Sequence, residues 1–284
     1  MIDFKKILIY LLSFLLAAFV AFCFWKICFF IIRHPSVSEI KKYLFERFYD
    51  HSVKITIPEG LTLKEIEGKL KTSKLWGEEK LDQIRLSDFK EQLPINFLEN
   101  VPENASLEGY LFPDTYLFDL DNSSDQIINK FLDNFIHQIP AEYLEEAKKQ
   151  KKDFYQILIM ASLLEKEVPD QNERYIASGI LWKRISSDMY LQVDAAVCYG
   201  LTGDLSTCSH LKYSDLKFDS PYNTYLHKGL PQGPICNPGL EAIKAALYPE
   251  KSPYWFYLSD PETRKTIFSK DLAEHNKAIL KYLR

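Results

Sequence analysis

No Cys-x-x-Cys pair occurs in this chain, and none of its five cysteines stands with histidines at zinc-ligand spacing. No metal site and no cofactor is therefore expected. Cys23 and Cys28 lie in the apolar N-terminus, whereas Cys198, Cys208 and Cys236 form an odd trio in which at most one disulfide can close. Charge of one sign is also missing. The 35 basic and 39 acidic residues are mixed along the chain and leave a net charge of −4. Without a basic stripe, a nucleic-acid partner is not expected. Internal repeats and low-complexity segments are absent too.

What is present is enough apolar material for a real core. With 284 residues, 46% of them hydrophobic, the chain is expected to hold two folded units behind an N-terminal segment. From Ile7 to Trp25 there are 19 residues without a charge, and apolar character continues to Ile32 apart from Lys26. That run is long enough to span a bilayer. It lacks the short core and small-residue cleavage site of a signal peptide, so a retained membrane anchor is expected over 1–35. Lys5 and Lys6 before the run, against Arg33 and His34 after it, favour a cytoplasmic N-terminus only slightly.

Helical spacing from Ser38 to Phe48 predicts a juxtamembrane helix, within 36–52. A small unit over 53–94 comes next. Val53–Ile57 alternates as a strand, Pro58-Glu-Gly60 turns, Thr62-Leu-Lys-Glu65 is a capping box, and a second helix is expected from Glu78 to Gln92. The larger unit, 95–284, opens on an aromatic stretch, Ser106-Leu-Glu108-Gly-Tyr110 to Tyr116. Generic loops are seldom this apolar, so it should be packed or face a ligand. Helices are predicted over Ser124–Ile139, Glu142–Lys151 and Asn172–Arg184.

Phe154–Glu167 is the stretch around which the rest is arranged. Asp153 can cap it, Pro169 forbids its continuation, and no polar stripe runs along it, so it should be buried on every side. Yet it ends on two carboxylates, Glu165 and Glu167. An acid among apolar neighbours at the negative end of a helix is pushed toward its neutral form, which suits a general acid near neutral pH. The alternative is an ion pair of Glu165 with Lys166, Arg174 or Arg184 that merely closes the helix.

Further on, Gln192 and Asp194 stand two apart in an apolar segment that reads equally as a strand or as a turn into a helix. Asp219–Gly239 holds four prolines and three glycines in 21 residues, which precludes regular structure but permits a rigid loop. A helix should start near Asn237 and end near Pro249. A hairpin around Asp260-Pro-Glu and a closing helix from Asp271 to Tyr282 complete the chain.

Six blocks in this order are similar to those of one family. They are Leu107–Tyr116, Ala161-Ser-Leu-Leu-Glu-Lys-Glu167, Leu191-Gln192, Asp219-Ser-Pro-Tyr-Asn-Thr-Tyr225, Gly229–Gly239 with its Leu-Pro and Asn-Pro-Gly, and Glu274-His-Asn276. Together they resemble the endolytic murein transglycosylases, the YceG-like proteins. The resemblance implies an α+β fold: an N-terminal transmembrane helix, a small LysM-like subdomain (Ile55 to about Leu93) and a larger mixed α+β catalytic domain.

The activity it implies is a lyase reaction. Nascent peptidoglycan strands are cut between N-acetylmuramic acid and N-acetylglucosamine, leaving 1,6-anhydromuramic ends and terminating elongation. The enzyme would be a single-pass protein of the inner (cytoplasmic) membrane, with its catalytic domain extracytoplasmic and peptidoglycan synthases as partners. Glu165 is implied as the catalytic acid. Gln192, Tyr222, Asn223, Thr224, Tyr225 and Glu108 are the expected substrate contacts. The chain departs from the family pattern at Val193-Asp-Ala-Ala196, at Gln232 and at Lys183-Arg-Ile185. Two rival readings are a muramidase using Asp194 or Glu108 as second carboxylate, and a non-catalytic glycan-binding scaffold.

Overall fold

The computed structural model describes Phe19, Val20, Phe22, Trp25, residues 51–208 and residues 211–283. The expected anchor (1–35) and juxtamembrane helix (36–52) lie outside these residues, except for the four named, which are helical, and His51 and Ser52. Among the described residues no helix is long and apolar enough to cross a membrane. The chain separates into Met1–Ser52 and Val53–Arg284, and the hydrophobic core lies in the second unit.

Among the described residues the fold is mixed α+β, mostly helical, with two small sheets. Strand β1 (Ser52–Ile57) pairs with β2 (Asp114–Asp119) although they lie far apart in sequence. Helix α1 (Leu63–Thr72) begins at the predicted capping box, with Thr62 and Glu65 satisfying each other's amides. Beyond it the predicted Glu78–Gln92 helix does not form. Two single 3₁₀ turns, Leu81–Gln83 and Leu86–Phe89, stand there instead. Leu81, Leu86, Phe89 and Leu93 are all buried, and the Leu81 amide donates to the Glu67 carboxylate at 2.7 Å. Tertiary anchoring at these points prevails over helical propensity.

After the short helix α2 (Ile95–Leu98) and β2 come α3 (Ser124–Gln138) and α4 (Ala141–Lys149). Helix α5 (Phe154–Glu167) is the central rod. Asp153 and Gln156 form its capping box, and every residue from Phe154 to Leu164 except Gln156 is buried. Each fully buried Leu or Ile contributes roughly 1.5–3 kcal/mol of transfer free energy, so this one helix carries a large share of the core. It packs against α4, α6 (Gln171–Ser186), α7 (Asp194–Thr202) and α8 (Leu240–Leu247).

Strands β3 (Phe256–Ser259) and β4 (Thr266–Ser269) form an antiparallel hairpin, with Phe256 opposite Ser269 and Ser259 opposite Thr266. Helix α9 (Leu272–Tyr282), capped by Asp271, packs on that hairpin. Gly109 is a position that only glycine fits. Its φ is +90°, and a Cβ there would lie 2.8 Å from the Pro234 ring, so the aromatic stretch meets the Pro/Gly-rich loop backbone to side chain. Cys198 and Cys208 form a disulfide, and Cys236 is buried and free.

Candidate active site

Helix α5 ends against two different environments. Residues two apart on a helix point about 200° from each other, so Glu165 and Glu167 face opposite ways. Glu165 turns inward. Arg174 grips it with both terminal nitrogens, Nη2 to Oε1 at 2.8 Å and Nη1 to Oε2 at 3.4 Å, and the Gly239 amide donates to Oε2 at 3.0 Å. Both side chains of the pair are only 6% exposed. Arg174 also donates through Nε to the Val168 carbonyl at 2.7 Å, satisfying an orphan group just past the helix end. Glu165 thus makes the ion pair with Arg174 that the sequence offers as one of its two roles. It closes the helix.

Glu167 turns the other way, into a cleft of about 550 Å³ walled by Arg184, Gln192, Asp194, Tyr225, Tyr257 and His275. A second hollow of about 480 Å³ shares Lys166, Glu167 and Asp194 with the first and is walled beyond them by Ala195, Leu205, Leu211 and the Cys198–Cys208 disulfide. Glu167 and Asp194 thus line both hollows and stand where the two adjoin. Burial pushes the Glu167 carboxyl up to about 7, and the Asp194 charge adds to the rise. The Ala195 amide, the Tyr257 hydroxyl and Arg184 pull the other way without cancelling it. The Tyr257 hydroxyl reaches Oε2 at 3.4 Å, and the Ser259 hydroxyl fixes the Glu167 carbonyl at 3.0 Å.

The turn before α7 is locked by Thr224. Gln192 takes a left-handed backbone (φ +55°) and donates its amide to the Thr224 carbonyl at 3.2 Å. Val193 donates its amide to Thr224 Oγ1 at 2.8 Å. The segment is therefore a turn into a helix, and Asp194 is the first residue of that helix. Tyr225 donates its hydroxyl to Asp194 Oδ1 at 2.5 Å. On the far wall Arg184 is nearly buried. It donates to the Trp255 and Leu191 carbonyls and stacks its guanidinium over the Phe256 ring, which in turn stacks with that of His275.

Of the seven site residues expected from sequence, Gln192 and Tyr225 line the cleft. The others are engaged elsewhere. Asn223 is buried and donates to the Leu216 and Phe218 carbonyls, holding the loop's shape. Tyr222 packs edge-on against Tyr199. Glu108 is buried, accepts from the Leu63 amide (3.2 Å), the Tyr199 hydroxyl (2.9 Å) and Asn237 Nδ2 (2.9 Å), and has its carboxyl pushed up to about 8 by desolvation. It fastens the start of α1 to α7 and to the irregular loop.

Sequence reasoning missed Arg184, Tyr257 and His275 as cleft residues. The Glu274-His-Asn276 block was the available signal for His275, but nothing local to Arg184 or Tyr257 shows that the hairpin folds back over the end of α5.

A family model, described as the YceG-like family, matches residues 29–281. The chain belongs to the YceG-like family. The endolytic murein transglycosylase of Bacillus subtilis is 33% identical over 242 residues, 82% of this chain and 66% of that protein. One from Streptococcus pneumoniae is 29% identical over 246 residues, 81% of this chain and 44% of that one. The chain thus spans less than two thirds of the length of these relatives. A crystal structure of a YceG-like protein from Listeria monocytogenes matches with a TM-score of 0.67 at 38% identity, covering 79% of this chain and 75% of that one.

Proposed function

We propose that this YceG-like chain is a peptidoglycan lytic transglycosylase whose general acid is Glu167 rather than Glu165. The observation that carries the proposal is a carboxyl held up to about 7 where two hollows adjoin, on a helix end fixed by the core. A polymer threaded through both hollows presents an internal bond to it. The names of the relatives support the same substrate. Glu165, sealed against Arg174, has no comparable access.

In this reading Glu167 gives its proton to the oxygen between muramic acid and glucosamine. The C1–O bond breaks with its electron pair on the leaving oxygen, and C1 becomes oxocarbenium-like. The muramic 6-hydroxyl then closes on C1, and its proton passes to the Glu167 carboxylate. The acid is regenerated, an anhydro end forms, and no water is consumed. Because the acid must begin protonated, turnover falls as pH rises through about 7.

The finer picture includes a single-pass anchor in the inner membrane, an extracytoplasmic catalytic domain, a LysM-like role for the β1–α1 segment and synthases as partners. The uncharged run Ile7–Trp25 supports the anchor, and the Cys198–Cys208 disulfide supports an oxidising compartment.

Asp194 at the same junction favours a second reading, a muramidase with Asp194 as the other carboxylate. Mass spectrometry of muropeptides released from sacculi separates the two. Anhydro ends that vanish in Glu167→Gln support the transglycosylase, and reducing ends support hydrolysis. Full release by Glu167→Gln contradicts both.

A further inference from the structure

Two carboxylates stand where the two hollows adjoin, and their surroundings differ. Glu167 is half-buried at the end of the apolar helix α5, with one long contact to the Tyr257 hydroxyl and one from the Ala195 amide. Asp194 is exposed, lines both hollows, and receives the Tyr225 hydroxyl at 2.5 Å. The Asp194 carboxylate plays no part as a helix cap, because no side chain caps α7. Yet the Thr224 latch and the left-handed turn at Gln192 hold it in place. A charge so placed, with the Tyr225 phenol as its hydrogen-bond partner among the described residues, suits a role toward the substrate.

We propose that Asp194 is a second catalytic carboxylate, which lies beside the reacting sugar and stabilises the positive charge that develops at C1, with Tyr225 positioning it. This rests on the reading of Glu167 as the acid. Two acids in unlike settings form the general pattern of glycosidic bond cleavage. Here the second acid makes no bond to carbon. Glu167 supplies the proton, the leaving oxygen keeps the electron pair of the broken C1–O bond, the 6-hydroxyl forms the new bond, and Asp194 contributes only its field. The groups facing Glu167 are Lys166 on its own helix, Arg184 on α6, Asp194 on α7, Tyr225 on the loop, Tyr257 on β3 and His275 on α9. Lys166 donates its ammonium to the Gly60 carbonyl at 3.1 Å.

The test is steady-state turnover of glycan strands by the full-length chain, comparing wild type, Glu167→Gln, Asp194→Asn, Asp194→Glu and Tyr225→Phe, with thermal unfolding as a folding control. Asp194→Asn should lower kcat about 10²-fold with KM within about threefold. It should also move the alkaline limb of the pH profile to lower pH, because the like charge that holds Glu167 protonated is gone. Asp194→Glu should retain more activity than Asp194→Asn, and Tyr225→Phe should lose only several-fold. An inactive Glu167→Gln beside an Asp194→Asn with wild-type kcat and an unmoved pH profile would overturn the role of Asp194 and leave the Glu167 reading intact. A fully active Glu167→Gln would overturn the Glu167 reading itself. Should Asp194→Asn unfold, Tyr225→Phe decides: several-fold loss with anhydro ends supports the proposal, and unchanged kcat contradicts it.

Discussion

Glu165 and Glu167 leave the same helical turn and end in opposite circumstances. One is enclosed by Arg174 and the Gly239 amide, whereas the other stands in a groove with its proton held by burial. Identity and local sequence are the same for both, so what separates them is which elements fold back onto each face of α5. Helix α6 and the start of α8 close the first face, while α7 and the β3–β4 hairpin leave the second one open. The arginine matches the buried charge of Glu165 and closes it in, whereas Glu167 lacks such a match among the described residues and borders a cleft.

The closed side is broken most severely by Arg174→Met, which strands Glu165 without its partner. We expect a loss of about 3–5 kcal/mol in denaturant unfolding, largely recovered in the double variant with Glu165→Leu. Unchanged stability would mean that the pair does not hold the helix end.

The second effect concerns Glu108, which is buried like Glu165 but has no arginine. Its carboxyl sits near 8, above its unfolded value, so the folded state binds more protons than the unfolded one between about 4.5 and 8. Stability therefore falls as pH rises through that window. Glu108→Gln, which cannot ionise, should be less stable at low pH, because its single acceptor oxygen cannot serve all three donors, yet it should show a shallower decline. Melting temperatures from pH 5 to 9 check this.

A smaller effect is expected on the open side from Thr224→Val. Removing the hydroxyl that accepts from Val193 should cost about 1 kcal/mol and lower kcat several-fold by loosening Asp194. Smallest of all, Tyr257→Phe removes a hydrogen bond of only 3.4 Å. The alkaline limb of the pH profile should rise slightly, with kcat within about threefold of wild type.

Much of this fold is legible in the sequence where the determinants are local. The caps at Thr62 and Asp153, the stop before Pro169 and the irregular Asp219–Gly239 loop all arise from residues within a few positions. The same reasoning fails over Glu78–Gln92, where distant contacts at Leu81 and between Arg85 and Ser106 set the backbone. At the site, sequence names both acids but cannot say which faces a cleft. A helix apolar all round carries no stripe to mark its outside, and the far wall comes from a hairpin about 90 residues away, reached through the Tyr257 and Ser259 hydroxyls. Asn223 and Glu108 are polar enough to look like ligand contacts, and buried segments use the same residues to satisfy their own backbone.

The most direct test sets Glu165→Gln against Glu167→Gln, each purified, checked for folding and assayed for anhydromuropeptide release from sacculi. Glu167→Gln should lose about 10²–10⁴-fold in turnover while folded, and Glu165→Gln should be less stable but keep its turnover per folded molecule. An inactive, well-folded Glu165→Gln beside an active Glu167→Gln would contradict the Glu167 assignment.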